Sequence, residues 1–166
     1  MRSLGMAFAL LFVLAVASTA FSQSEAQKTF DQLKSLNGTW EGKLPNGNTG
    51  KVAFRTTSGG SALMSEIMGE EDMISMFHMD NDRVLMTHYC GAGNQPRMQG
   101  KMSPDGKTIT FIFVDATNLS SPKAGHMERL VITIPDAQHH SEDWTFVQDG
   151  KELTEHFELM RAKAAM

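Results

Sequence analysis

The chain has a single cysteine, Cys90, so no intrachain disulfide can staple the fold. It also lacks an excess of positive charge. Fifteen Lys and Arg stand against 19 Asp and Glu, a formal net charge of -4, which argues against nucleic acid and anionic membranes as partners. Beyond residue 20 no apolar run is long enough for stable membrane insertion. A phosphate-cradling glycine loop, zinc-ligand spacing and a serine elbow are missing too, and no resident metal is expected. No linker, repeat or low-complexity segment divides the sequence.

What is present begins with a leader pattern. Arg2 gives a positive start, Met6 to Ala17 an apolar run, and Ser18-Thr19-Ala20 a small-residue cleavage site. These predict a signal peptide over 1–22, cut after Ala20 or after Ser22, and an exported product, periplasmic or extracellular. Cleavage removes one charge, Arg2, taking -4 to -5. The remaining 23–166 suits one domain burying roughly two thirds of the surface its unfolded chain exposes.

Ser24 to Leu36 places Phe30, Leu33 and Leu36 at helical spacing, with acidic Glu25 in the first turn, and predicts one short helix. From Gly38 the pattern switches to short β-rich runs. Turn chemistry separates them at Asn46-Gly47, Gly59-Gly60, Asn81-Asp82, Gly91 to Asn94, Asp105-Gly106 and Asp149-Gly150. About ten strands are expected, near 39–44, 51–57, 61–68, 72–80, 83–90, 96–102, 108–116, 125–135, 141–148 and 151–162. The connections are too short for crossover helices, so neighbours pair antiparallel. The predicted fold is therefore all-β, an up-and-down barrel of about ten strands with one N-terminal helix, an open sandwich being the alternative. Inward positions by alternation include Val52 and Phe54, Ile109 to Phe113, Leu130 to Ile134, Trp144 and Phe146, and Phe157 and Leu159.

In such a barrel the ends of odd strands and the starts of even strands share one rim. That rim collects the polar hairpin "MTHYCGAGNQPRM", Met86 to Met98, and the long connection before His126. Strand parity extended back from Leu130 puts Glu128 and His126 on the interior side. The candidate ligand-binding residues are His88, Cys90, Asn94, Gln95, Arg97, His126 and Glu128, with Arg97 at the lip or outside. Polar groups gathered there must be mutually hydrogen-bonded, wet or ligand-bound. Both a rim network that only holds loops and a small-molecule mouth satisfy that condition.

"LNGTWEG", Leu36 to Gly42, followed by a meander ending in "HFELMRA", His156 to Ala162, resembles the calycin group of barrels, which includes lipocalins, fatty-acid-binding proteins and nitrobindins. Trp40 and Arg161 match the group's pattern of a first-strand Trp crossed by a late cation. The tight loop at 45–50 departs from the helical pair of fatty-acid-binding proteins and makes the chain more similar to nitrobindins. The "THYCGAGNQPRM" hairpin also resembles that of a group of exported bacterial proteins of unknown function. The barrel and its polar rim together lead to the expectation of an exported protein that binds a small apolar or amphipathic molecule, with no cofactor expected. The alternative implication of the resemblance is haem, ligated through His156, although an odd spacing from Arg161 faces His156 outward unless a bulge intervenes.

Two further chemistries fit the residue types. A Cys90 thiolate activated by His88 or His126 would make an exported enzyme. A soft-metal site could draw on Met64, Met68, Met73, Met76, Met79, Met86, Met98 and Met102 with His78, His88 and Cys90. Methionine is also an adaptable core filler. His139-His140 reads as a solvated turn.

Overall fold

The computed structural model describes residues 23–43, 47–69 and 72–163, so the expected signal peptide, 1–22, lies outside the described residues. The chain opens with α1, Glu25–Lys34. Ser24 caps it by accepting from the Gln27 N–H, and Thr29, Phe30 and Leu33 form its buried face. Ten strands follow: β1 Gly38–Lys43, β2 Thr49–Thr57, β3 Ala62–Met68, β4 Met73–Asp80, β5 Arg83–Tyr89, β6 Gln95–Met102, β7 Thr108–Thr117, β8 His126–Thr133, β9 His139–Gln148 and β10 Lys151–Arg161. Each pairs antiparallel with its sequence neighbours, and β1 pairs with β10 to close the barrel.

The closing seam has a physical reason at each end. Trp40 stands opposite Arg161, whose guanidinium carbon lies 4.1 Å from the indole centroid. Arg161 also donates to the carbonyls of Ser35, Asn37 and Ala137. The Trp40 indole N–H donates to Leu36 O at 2.7 Å, tying the helix exit to the first strand. Further along the seam Gly42 permits close approach: a Cβ there would lie 1.9 Å from the Glu158 carbonyl oxygen.

The interior is filled from one end. Phe30, Leu33 and Leu36 of the helical segment join Trp40, Phe77, Val84, Met98, Ile109, Phe111, Ile132 and Leu159 in one buried cluster. The helix lies against β4, β5 and β6 and stoppers the rim formed by the starts of odd strands. Outward positions carry charge, for example Glu41 with Lys51 and Arg97 with Asp115. Apolar inside and charged outside is the reverse of a lipid-facing barrel. No helix among the described residues is long and apolar enough to cross a membrane.

Two strand irregularities break the simple alternation. The β6–β7 register shifts between Arg97 and Met98, and the β8–β9 register shifts between Met127 and Arg129. Such bulges re-aim side chains, and both lie toward the open rim.

Candidate functional site

His88, near the end of β5, is wholly buried. Its Nδ1 is 2.9 Å from the hydroxyl of Ser75, its cross-strand neighbour, and its ring lies 4.8 Å from the Trp144 ring. Its Nε2 has no partner among the described residues. Burial pushes the imidazole pKa down to about 4, because taking the charged ring out of water is costly. His88 is thus a neutral ring at neutral pH.

Beside it runs a second buried polar string. The Trp144 indole N–H donates to Glu142 Oε2 at 2.8 Å, and His140 Nε2 meets Glu142 Oε1 at 3.1 Å. His140 and Glu142 are each only 1% exposed. The His140 ring stands edge-on to Trp40 at 4.3 Å. The expectation of a solvated His139-His140 turn therefore needs correction. His139 is exposed beside Asp136, but β9 starts at His139 and its alternation turns His140 into the core.

Above this string, at the rim shared by the Cys90 hairpin and β8 to β10, a pocket of about 280 Å³ remains open. Met73, Cys90, Met127, Trp144, Phe146 and Leu153 form most of its wall, and Glu155 supplies a carboxylate. The volume sits at the low end of the roughly 300–1,000 Å³ usual for small-molecule sites. The Trp144 wall is fixed in place by its bond to Glu142 and its contact with His88.

The expected site residues divide between three places. Cys90 lines this pocket, and His88 lies behind its Trp144 wall. Asn94 and Gln95 tie the hairpin to the β7–β8 connection. The Asn94 amide donates to Gly125 O at 2.8 Å, while Gln95 Oε1 accepts from Thr117 and Asn118. Arg97 lies on the outer wall, paired with Asp115 through two bonds of 2.5 Å. That guanidinium holds the Asp115 carboxyl below the usual carboxylate range.

His126 and Glu128 need a correction of side. The bulge after Met127 puts Met127 opposite Phe146 and so into the inward place expected for its neighbours. His126 and Glu128 instead line a groove of about 1,050 Å³ beneath the β7–β8 connection, where the pairing of those strands ends at Ile112 and Arg129. The His126 ring packs 4.6 Å from Phe113, with Nδ1 on Ala124 O and Nε2 on Glu128. Cys90 and His126 line different pockets.

His156 faces the outer wall. Its Nδ1 bonds Asp143 and its Nε2 bonds Glu158, and the two carboxylates raise its pKa. It offers no ligand to the barrel interior, so the residues present do not fit haem held from that position. The methionines also divide. Met86 and Met98 are in the core, while Met64, which accepts from Arg55, stands opposite Met76 on the outer face. Among the described residues no group of three or more His, Cys, Asp or Glu is placed to hold a metal ion.

Sequence reasoning missed Glu142, Met127, Leu153 and Glu155. Three of them were within reach of simple parity. Trp144 and Phe146 point inward, so Glu142 does too; Phe157 and Leu159 point inward, so Leu153 and Glu155 do. Met127 was hidden by the bulge.

Fold and site together define a closed ten-stranded antiparallel barrel, stoppered by a helix at one end and holding a pocket at the other. No family model matches the chain, and no curated protein does. Among solved structures it is similar to the crystal structure of Rv2717c from M. tuberculosis, with 17% identity, a TM-score of 0.53, and coverage of 81% of this chain and 98% of that one. It also matches a redesigned β-barrel at 17% identity and a TM-score of 0.34, covering 86% of this chain and all of that one. The first likeness shows the barrel fold alone, and the second carries no argument.

Proposed function

We propose that this protein is exported and binds a small apolar or amphipathic molecule in the pocket at the open rim. The carrying observation is that the core fills the barrel up to Trp144 and leaves about 280 Å³ unfilled above it, with thioether, aromatic and aliphatic walls. Apolar walls supply affinity, and a few polar groups supply orientation. Here those groups are Glu155, the Cys90 thiol and the hairpin backbone at Gly91 and Ala92. Asn94 and Gln95 act one step away, by pinning that hairpin to Gly125 and Thr117. The leader pattern in residues 1–22 supports export.

The test is titration with the neutral fluorophore N-phenyl-1-naphthylamine, alongside native mass spectrometry of gently purified protein. Saturable fluorescence enhancement is expected, weakened at least tenfold by Met127→Trp, which fills the pocket. A wild-type protein that neither enhances the probe nor carries a co-purified molecule would remove the binding reading.

A further inference from the structure

Resting on the pocket reading above, we infer that the preferred occupant is an amphiphile with a cationic head, an alkylammonium rather than a fatty acid. The rim pocket contains one carboxylate and no lysine, arginine or histidine among its lining residues. That carboxylate, Glu155, stands on β10 directly opposite Trp144 of β9. It makes no hydrogen bond or ion pair with any described residue, in contrast to Glu142, which is fully engaged two positions below Trp144. Asp72, exposed immediately ahead of Met73, and Lys151, exposed at the start of β10, add charges of opposite sign to the same rim, which leaves Glu155 to set the sign at the pocket itself.

An anionic head would meet this carboxylate, which is exposed at the rim, so like-charge repulsion acts there as a salt-screened surface effect. An ammonium head would meet an unpartnered carboxylate beside two aromatic lining residues, Trp144 and Phe146, side chains of the type that attract organic cations. The thioethers of Met73 and Met127 and the Leu153 side chain then provide a surface for the alkyl tail. The Trp144 indole needs no rearrangement, because Glu142 already fixes its N–H and His88 packs against its ring. His88, neutral at neutral pH, adds no positive charge to oppose such a head.

The experiment compares three ligands of one chain length, octyltrimethylammonium, octanol and octyl sulfate, by displacement of N-phenyl-1-naphthylamine from the full chain. The expected order is ammonium tightest and sulfate weakest, with at least a threefold advantage of ammonium over octanol that shrinks as salt is added. Glu155→Gln should abolish that advantage, so that octyltrimethylammonium binds no tighter than octanol to the variant, and Glu155→Lys should reverse the order of the two ions. Glu152→Gln, on the opposite face of the same strand, should leave the order intact. Equal affinities for the three ligands, or an ammonium preference that survives Glu155→Gln, would overturn the cationic-head inference while octanol binding kept the pocket. Failure of all three to displace the probe would overturn both.

Discussion

Burying a histidine with an unpartnered nitrogen has a calculable consequence in acid. His88 titrates at about 4 in the folded protein against an ordinary 6.5. The unfolded chain therefore binds a proton between those values that the native state refuses, so stability must fall as pH drops through that window. The shift of about 2.5 units corresponds to about 3 kcal/mol, lost progressively from pH 6.5 to pH 4 and fully lost below it. The sign is opposite for His156, whose raised pKa adds stability below 6.5 that is lost as pH rises through its folded value. A double replacement, His88→Leu with Ser75→Ala, isolates the first effect, because it removes both partners of the 2.9 Å bond and leaves no orphan behind. Urea unfolding at pH 7, 6, 5 and 4 should find the variant near wild type at pH 7 and about 3 kcal/mol more stable, relative to wild type, at pH 4. Parallel pH profiles for the two proteins would show that His88 is not held neutral, and the reasoning about its burial would fail.

Other expectations follow from the same geometry. Gly42→Ala drives a Cβ into the Glu158 backbone rather than into a flexible side chain, so calorimetry should show a loss of about 2–3 kcal/mol. For a chain of this size that is roughly 4–12 °C in Tm. Arg161→Met removes the cation over Trp40 and leaves the Ser35, Asn37 and Ala137 carbonyls without that donor, with an expected cost of about 2–4 kcal/mol by chemical denaturation. Arg97→Ala breaks only an exposed pair on the outer wall and should change neither Tm nor probe affinity. Glu142→Leu leaves the Trp144 N–H and His140 Nε2 without their shared acceptor. It should destabilise the fold by about 3 kcal/mol and loosen probe binding through the freed Trp144 wall.

Much of the fold was legible because period-two alternation and turn residues are local properties. The Trp144, Phe146 and Phe157, Leu159 pairs announced their strands, and Asp105-Gly106 and Asp149-Gly150 announced the turns between neighbours. Closure followed from strand number and short connections, and the Trp40 to Arg161 register realises it. The site was legible only in part. That the hairpin before Arg97 and the stretch before His126 share a rim is a matter of topology, and Asn94 on Gly125 shows the contact. Which side chain points into the pocket depends on a one-residue bulge between β8 and β9. A bulge is set by how two strands twist against each other, and no residue near Met127 marks it. His140 was misread for another reason. The strand begins two residues earlier than the apolar pattern suggests, because its inward positions there are filled by a histidine and a glutamate that satisfy each other.

Isotope-labelled methionine methyl groups offer the most direct view of the central claim. Met73 and Met127 line the rim pocket, whereas Met64 and Met76 face each other on the outer wall. Titration with octanol should shift the Met73 and Met127 methyl resonances together, with one saturation curve, and leave Met64 and Met76 where they are. Shifts confined to the outer pair, or none at Met73 and Met127 at saturating octanol, would contradict the account.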